Sequence, residues 1–369
     1  MKNAMMDRSN GWAGMLSVRD FGAKGDGQAD DTAAIQAAID AAQAAGGGGV
    51  WVPAGQYASS TLKLHPYVGL FGAPTWSYHS NGGTRIELRD DKAACLIDMS
   101  AAYGARVSGL GLSGNKLGKG IAGIYLDGTR HNQEDTIFID NCRLCHFTGD
   151  AVRLDSVWGF TLRDTMIIFN DGDGLSFTHW DGWVHDCIFN NNGGYGIHGR
   201  PWNGAITVVN NRIEWNAKGG ICLGHGGHYS INNNFIDRSG GPGIHLHGGE
   251  PVDRGYGRPH ALTITGNVIH RSGAKVAEGS DASCHILLDF VAGVTITGNV
   301  MTTGRNDSGE GLLSPSYGVV YSGIENSVIK DNTWQNGVTK EFLVDHGGNE
   351  PTVIIKDNLG RVCAPAPSV

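Results

Sequence analysis

Long apolar runs are missing from this sequence of 369 residues. No stretch reaches the ~20 consecutive apolar residues of a membrane-spanning helix, which argues against a membrane protein. Residues 1–14 also lack the apolar core of a signal peptide. We therefore expect either a chain trimmed of its leader or export by another route, with an extracellular location favoured over a cytoplasmic one.

Cysteine and positive charge are both scarce. The seven cysteines do not form a dense disulfide framework, and Cys142 and Cys145 lack the second pair that a zinc site would need. Buried thiols are the expectation. Lys and Arg total 28 against 36 Asp and Glu, which gives a formal net charge of −8 and a pI of about 6.0. This balance argues against a nucleic-acid partner, and a polyanionic substrate would need a local basic groove.

Proline is sparse as well, whereas glycine is abundant. The chain has 11 Pro and 58 Gly, without the Gly-X-Y period of collagen. Gly, Asn and Asp between short apolar runs are typical of many tight turns. The length alone would suggest two domains, but a repeat architecture can extend this far as one unit.

A short unit recurs through the middle of the chain. Its first half, of the form Gly-apolar-x-apolar, reads GIYLDG (123–128), AVRLDS (151–156), GLSFTH (174–179), GIHGRP (196–201), GICLGH (220–225), GIHLHG (243–248), HILLDF (285–290) and GVVYSG (318–323). Its second half ends at Asn141, Asp164, Asp186, Asn211, Asn234, Asn267, Asn299, Asn332 and Asn358. The first five of these positions are 22–25 residues apart, and later steps grow to about 32. The longer steps indicate loop insertions, at 248–261, 272–284 and 303–316.

The size of this unit predicts a solenoid. Strands of 3–5 residues cannot bury a face alone, but stacked coil on coil at ~4.8 Å they share one core. The recurring Asn or Asp fits an internal ladder in which each side chain bonds the turn of the next coil. An antiparallel sandwich is the alternative, and the fixed column argues against it. We predict an all-β fold: a single-stranded right-handed parallel β-helix of about ten coils.

The N-terminal region predicts a cap for this solenoid. Asp31 or Thr32 can begin a helix whose apolar stripe includes Ile35 and Ile39, and glycines end it at 46–49. Such a helix would cover the open end of the core. The predicted organisation is an extension over 1–15, the cap and first coils over 16–72, the β-helix over 73–360 and a tail over 361–369.

The same region carries a resemblance. The run DFGAKGDG…DDTAAIQAAIDAA…GGGGVWVPAGQY within residues 16–72 resembles the opening of the pectate-lyase-like superfamily, which includes polygalacturonases, related lyases, mannuronan epimerases and phage tailspikes. The resemblance implies a β-helix that acts on a poly- or oligosaccharide. Gly224-His225-Gly226 is similar to the polygalacturonase Gly-His-Gly, which implies substrate binding by His225. The polygalacturonase Asn-Thr-Asp, Asp-Asp and Arg-Ile-Lys elements have no counterparts at matching coils, and the Asp-Pro-His-Glu of the epimerases is absent.

Alternate side chains of the first strand in each coil should face outward. One predicted outward column holds Tyr125, Arg153, Ser176, His198, Cys222, His245 and Leu287. The other holds Asp127, Asp155, Thr178, Arg200, Gly224, His247 and Asp289. A merely solvated wall would favour Lys, Glu, Ser and Thr, so this gathering of Asp, Arg and His predicts a functional groove. Trp158, Trp180, Trp183 and Trp202 lie just beyond these strands and predict a stacking platform for sugar rings, with core or turn packing as the alternative.

Paired carboxylates are the preferred catalytic groups. Asp127 and Asp155 on successive rungs fit the ~5 Å spacing of a retaining glycoside hydrolase, and Asp155 with Asp181 fits the wider inverting gap of ~6.5–9.5 Å. Two neighbouring carboxylates should raise one pKa, as a general acid requires. Glu250, in the 248–261 insertion, is a reserve acid. Each pair also has an ordinary interpretation as solvated residues on a wall.

A polysaccharide lyase is the nearest alternative. Arg153 and Arg200 could neutralise a uronate carboxylate, and His198 or His247 could remove the adjacent proton. In either reaction His245, Asp289, Trp180 and Trp202 are assigned to substrate binding. A fructan transferase remains open, as does a non-catalytic tailspike- or adhesin-type binding module, for which the resemblance implies a homotrimer.

No metal or cofactor is expected from these residues. Calcium needs several oxygen ligands, and Asp127 with Asp155 supplies too few. The histidines at 245, 247, 225 and 228 could bind a transition metal, but hydrogen-bonding roles are commoner for such residues.

Overall fold

A computed structural model of the protein describes residues 14–73, 76–79, 82–130, 136–248 and 257–363. Short strands dominate these segments and pair in parallel, each with the equivalent strand of the neighbouring coil. The chain forms a right-handed parallel β-helix, as predicted. Each coil contributes one strand to each of three faces, which we call the first, second and third face.

The first and second faces belong to one sheet of 22 strands. Its first-face strands are Leu62–Lys63, Cys95–Asp98, Ala122–Asp127, Val152–Arg163, Leu175–His185, Tyr195–Asn203, Gly219–Gly224, Ile244–His247, Cys284–Asp289, Tyr317–Ser322 and Glu341–Asp345. Its second-face strands are Leu16–Ser17, Gly48–Val52, Val68–Gly72, Arg106–Ser108, Ile137–Asp140, Ile206–Val209, Tyr229–Asn232, His260–Thr265, Ala292–Thr297, Val328–Lys330 and Ile354–Lys356. Val152–Arg163 and Leu175–His185 continue around the corner and pair on both faces, which joins the two faces into one sheet.

The third face is a separate sheet of 13 strands. These strands are Asp26–Asp30, Gly55–Ser59, Thr84–Leu88, Gly111–Ser113, Arg143–Cys145, Met166–Ile168, Ile188–Asn190, Arg212–Glu214, Phe235–Asp237, Val268–His270, Val300–Thr302, Thr333–Trp334 and Leu359–Gly360. Their count is slightly above the predicted ten coils. The inward side chains of all three faces form one continuous apolar core, because every strand alternates inward and outward residues.

The predicted N-terminal cap is confirmed. Helix Thr32–Ala44 buries Ile35, Ala38, Ile39 and Ala42 against the first coils. Its capping differs from the prediction in one detail. Asp31 occupies the N-cap position, but its buried carboxylate accepts hydrogen bonds from the backbone N–H groups of Lys24 and Gly25 instead. Two short 3₁₀ helices, Val18–Phe21 and Gly128–Arg130, complete the helical content of the described segments.

The predicted asparagine ladder is present over the later coils. From Asn211 to Asn358, each Nδ2 donates to the Oδ1 of the next ladder residue at 2.9–3.0 Å. The predicted ladder position is wrong by one residue at Asn141, Asp164 and Asp186, because the ladder residue in each of these coils is the next one in the chain. These three have left-handed backbones, with φ of 52°, 45° and 56°. Asn and Asp tolerate that conformation well, so they also suit the turn position just before the ladder.

The ladder position in the earlier coils is taken by other small residues. Cys142, Thr165 and Cys187 occupy it, and the Cys187 N–H donates to Asn211 Oδ1 at 3.0 Å. A second, shorter ladder was not predicted. At the corner between the third and first faces, Asn170 donates to Asn192 and Asn192 to Asn216, at 2.9 Å each.

The cysteines occur as thiols, as expected: six are buried and Cys363 is half-buried. No helix in the described part of the chain is long and apolar enough to span a membrane.

Candidate functional site

The first face presents the predicted outward columns. Backbone pairing aligns Tyr125, Arg153, Ser176, His198, Cys222, His245 and Leu287 in the first column. Ser176 and Cys222 are nevertheless buried: Ser176 Oγ donates to Asp150 Oδ2 at 2.6 Å, and the Cys222 sulfur lies 3.9 Å from His245 Nδ1. In the second column Asp127 pairs with Asp155, and Gly224, His247 and Asp289 follow one another. Between these groups the register shifts after Phe177, so Thr178 and Arg200 do not form a regular rung.

Asp155 lies in an ionic cluster. Arg153 approaches its Oδ2 with Nε and Nη2, both at 3.0 Å, and Arg200 donates to its Oδ1. The Arg153 guanidinium also lies over the ring of Tyr125, 5.8 Å from its centroid. Burial raises the pKa of Asp155, but the hydrogen bonds from Arg200 and Arg153 outweigh it and the pKa is lowered. The expectation that a neighbouring carboxylate would raise this pKa is therefore wrong for Asp155.

His198 forms a dyad with Asp173. His198 Nδ1 lies 2.7 Å from Asp173 Oδ2, and Asp173 Oδ1 accepts the Tyr195 N–H at 2.7 Å. Asp173 is buried, although its place between glycines in NDGDG (170–174) is typical of a turn. The Tyr195 ring lies 4.9 Å from the His198 ring, and burial with the nearby Cys222 raises the pKa of Tyr195 to about 12. The dyad leaves Nε2 of His198 as its second hydrogen-bonding atom.

Three imidazoles gather further along the face. The His247 ring lies 4.9 Å from that of His245 and 5.1 Å from that of His225. Burial, together with His245 and His225, lowers the pKa of His247 to about 4, so this imidazole stays neutral near pH 7. His245 Nε2 contacts Asp289 Oδ2 at 3.1 Å, and its Nδ1 is 3.9 Å from the Cys222 sulfur. The hydrogen bond from His245 lowers the pKa of Asp289.

A cavity of about 240 Å³ opens at the corner between the first and second faces. Its walls include Trp158, Trp180, Asp181, His228 and His260. The His228 and His260 rings meet edge-on at 5.0 Å. The backbone of Asp181 is left-handed, with φ of 65°. Strained non-glycine residues of this kind are often found at functional sites.

The four tryptophans do not form one platform. Trp158 and Trp180 line the corner cavity together. Trp183 lies on the second face, where it pairs with Thr161 and Thr207, because the strand has already turned the corner. Trp202, left-handed with φ of 71°, is 39% exposed and stands outside the cavity wall.

One of the two proposed carboxylate pairs, Asp155 with Asp181, is separated in the structure. Asp155 belongs to the ionic cluster on the first face, whereas Asp181 belongs to the corner cavity. Asp127 does lie beside Asp155, and its carboxylate accepts the Thr129 N–H at 3.1 Å. Glu250 falls outside the described residues. Pairing across coils thus brings Asp127 to Asp155, as expected, and leaves Asp181 with aromatic and imidazole neighbours.

Two groups at the site went unassigned in the sequence. The contact of Asp173 with His198 could have been predicted from the repeat. Asp173 lies one coil before Tyr195 and His198, and therefore beside the start of their strand. His260 lies across the corner from His228 because a bridge pairs it with Gly227. His260 lies 32 residues after His228, so no local pattern in the sequence connects the two. Among the residues that the structure describes, no group of three or more His, Cys, Asp or Glu is arranged to hold a metal ion.

Sequence comparison finds relatives over more than half of the chain. Mannuronan C5-epimerase AlgE5 of Azotobacter vinelandii is 32% identical over 269 residues, which covers 65% of this chain and 25% of that protein. The chain therefore spans about a quarter of the length of this relative.

Two solved structures share the fold. The A-module of mannuronan C-5 epimerase AlgE6 of Azotobacter vinelandii superposes with a TM-score of 0.65 at 22% identity, covering 95% of this chain and 100% of the module. The catalytic unit of a GH87 alpha-1,3-glucanase from Streptomyces thermodiastaticus gives 0.62 at 19% identity, with 94% and 71% covered.

Family comparison covers most of the chain. Residues 200–360 match the right-handed β-helix region. Residues 15–245, more than half of the chain, match the family described as rhamnogalacturonase A/epimerase, pectate lyase-like. The protein therefore belongs to this family of carbohydrate-active β-helix proteins.

Proposed function

We propose that the protein modifies a uronate-containing polysaccharide by removing the proton at C5, next to the sugar carboxylate. The observation that carries this proposal is the His198–Asp173 dyad, which stands in the same outward column as Arg153. A base and a cation in one groove are the two groups that this reaction needs.

One sugar ring bound over the intermediate coil, that of Ser176, would lie between these two groups. Arg153 and His198 are separated by two coils, which corresponds to about 9.6 Å between their backbones. Arg153 is exposed, and its Nη1 is not engaged by Asp155, so it can bind the uronate carboxylate. His198 Nε2 then acts as the base, and Asp173 stabilises the imidazolium that forms. The negative charge that develops on the sugar carboxylate faces Arg153.

Two carboxylates of the groove support this choice over acid catalysis by a carboxyl group. Hydrogen bonds from Arg200 and Arg153 to Asp155, and from His245 to Asp289, hold the pKa values of both aspartates below their usual range against the opposing effect of burial. A glycoside hydrolase needs the opposite, a carboxylic acid that keeps its proton near neutral pH. Relatives named as mannuronan C5-epimerases favour C5 chemistry as well. Proton return to C5 would give epimerisation, and loss of the C4 oxygen would give elimination.

The products separate these outcomes. Polymannuronate and polygalacturonate would be incubated with the protein in D₂O and followed for deuterium at C5, ultraviolet absorbance and new reducing ends. Deuterium without absorbance means epimerisation, and absorbance with new ends means elimination. His198→Gln should lower the rate at least about 100-fold. The matched control is His185→Gln, because His185 also bonds an aspartate, Asp186, but lies on the second face. New reducing ends without deuterium or absorbance would refute the proposal.

Glycoside hydrolysis is the second candidate, and one observation favours it. The carboxylate of Asp181 has no hydrogen-bond or ion-pair partner among the described residues, and it lines a cavity with Trp158 and Trp180. Asp181→Asn should abolish the release of reducing ends if this candidate is correct, and should leave C5 exchange unchanged if it is not. We propose no cofactor for either candidate reaction. A homotrimer and an extracellular location remain predictions.

A further inference from the structure

We propose a second saccharide-binding site, which holds an acidic oligosaccharide without acting on it, at the corner between the third and first faces. A cavity of about 320 Å³ lies along this corner. Its walls include Phe169, Asn191, Trp215, Lys116 and Lys275. The proposal goes beyond the C5 chemistry and rests on it only for the identity of the sugar.

The first argument is backbone conformation. Phe169, Asn191 and Trp215 occupy equivalent positions in successive coils, and all three are left-handed, with φ of 60°, 54° and 58°. The equivalent turn at the other corner of the third face uses only Asn, Asp or Gly from residue 141 to residue 357. Those residues accept the left-handed conformation at low cost, whereas a bulky aromatic there is a rare outlier. Two aromatics therefore occupy a turn position that the other corner of the third face gives only to Asn, Asp or Gly.

The second argument is the arrangement of the rings. Phe169 and Trp215 are two coils apart, or about 9.6 Å, with the Asn191 side chain between them. Another aromatic ring, His146, stacks on Phe169 at 6.0 Å with an interplanar angle of 13°. Planar side chains at this spacing offer stacking faces to alternate sugars of an extended chain, and the amide can bond the hydroxyls between them.

The third argument is charge. In a chain with net charge −8, this cavity carries a lysine at each end. Lys116 Nζ lies 2.6 Å from Asp171 Oδ1 and donates to the Phe169 carbonyl at 2.8 Å. Lys275 has no ion-pair partner among the described residues. The cavity contains one carboxylate, that of Asp171, already paired, so the site has cations for an anionic sugar but no acid pair for hydrolysis.

Binding can be tested with one substitution that removes the ring and relaxes the backbone. Trp215→Asn should weaken the binding of a hexauronate about tenfold, measured calorimetrically in the His198→Gln background. Its melting temperature should change little, because Asn suits the left-handed conformation and this gain offsets the loss of the contact between the indole ring and Arg271. Trp215→Phe, which keeps an aromatic ring, should bind the hexauronate almost as tightly as the protein with Trp215. The control is Tyr67→Asn, since Tyr67 is another exposed, left-handed aromatic, at φ of 60°, in the N-terminal coils.

Ligand charge is tested in the same assay. A neutral hexasaccharide should bind at least tenfold more weakly than the hexauronate at low salt, and Lys275→Gln should reduce that difference. Equal hexauronate affinity in Trp215→Asn and the parent would overturn the site, and equal affinity for the neutral sugar would overturn its acidic preference. If Trp215→Asn weakens binding in this background while the protein with His198 intact turns over no uronate polymer, the C5 chemistry is wrong and this site stands.

Discussion

Arg200 donates a hydrogen bond to the carboxylate of Asp155 from two coils further along the first face. Arg153 holds the other oxygen of the same carboxylate, so one aspartate fixes two guanidinium groups in the groove. The half-buried carboxylate thereby serves as an anchor for cations, and the cations remain able to meet a negatively charged sugar.

Removal of that anchor should destabilise the protein. Asp155→Asn leaves the exposed Arg153 and the half-buried Arg200 without their carboxylate, and we expect a loss of about 1–3 kcal/mol in the free energy of unfolding at pH 7. The folded-state pKa of Asp155 is lowered, so its contribution is present above the unfolded pKa of about 3.9 and is lost as the pH falls below it. Urea unfolding of both proteins from pH 7 to pH 3 should show the difference shrink. Asp127→Asn, one coil earlier, should cost less than about 1 kcal/mol. A pH-independent difference would contradict the ion-pair explanation.

Acid should also weaken the fold through a buried imidazole. His285 is fully buried and contacts the Gly337 carbonyl at 2.8 Å through Nε2, and burial lowers its pKa to about 3. The unfolded chain takes up this proton near pH 6.5, so stability is lost as the pH falls from about 6.5 toward 3. One such group removes about 2 kcal/mol between pH 6.5 and pH 5.

The variant His285→Gln tests this contribution, because glutamine can still donate to Gly337 but does not titrate. Its unfolding free energy should depend less on pH over the same interval than that of the parent protein. His346→Gln is the control, since His346 is an exposed histidine paired with Asp281. Parallel pH curves for His285→Gln and the parent would show that His285 does not control this loss.

The fold was accessible from sequence because its signals are local and repeated. Gly-apolar-x-apolar fixes each first-face strand, and the columns that contain Arg153 and His198 follow from that alignment alone. The error of one residue at Asn141, Asp164 and Asp186 arose because two adjacent positions favour Asn and Asp. The turn position favours them because they accept a left-handed φ, and the ladder position that follows favours Asn for its side-chain hydrogen bonds. A one-residue shift exchanges the two faces of a strand, so only the contacts themselves could resolve it.

The chemistry of the site was less accessible. Sequence alignment placed Asp127 beside Asp155 correctly, but it could not show that Arg200 reaches across two coils to Asp155. Side-chain reach and burial decide which carboxylate is neutralised, and neither follows from strand register. The predictions for the corner at Asp181 were wrong for another reason. Two strands continue through the bend there, and the second of them, Leu175–His185, carries Trp183 to the second face.

Thiol reactivity offers a direct check on burial. Burial raises the pKa of the Cys95, Cys142 and Cys222 thiols to about 12, so they stay protonated and shielded in the folded protein. Titration with Ellman's reagent at pH 8 should detect one thiol in the native protein, that of half-buried Cys363, and seven after denaturation. Cys363→Ser should reduce the native count to zero. Rapid reaction of two or more thiols would mean that a buried one is accessible.

The asparagine ladder should carry a large share of the stability of the later coils. Asn267 is fully buried; its Nδ2 donates to the Ile231 carbonyl and to Asn299 Oδ1, and its Oδ1 accepts from Asn234. Asn267→Ala leaves these partners buried without bonds, at about 1–3 kcal/mol for each group, so the total should reach at least about 3 kcal/mol. Asn267→Asp should also destabilise, because a carboxylate cannot donate to either acceptor.

The neighbouring turn position provides the control for this ladder. Asn233 has a left-handed backbone with φ of 55° and is exposed, so Asn233→Gly should change the unfolding free energy by less than about 1 kcal/mol. The two variants thus distinguish the ladder position, where asparagine is selected by hydrogen bonds inside the coil, from the turn position, where it is selected by backbone conformation. If Asn267→Ala costs no more than Asn233→Gly in urea unfolding, the internal bonds are not what selects asparagine at the ladder.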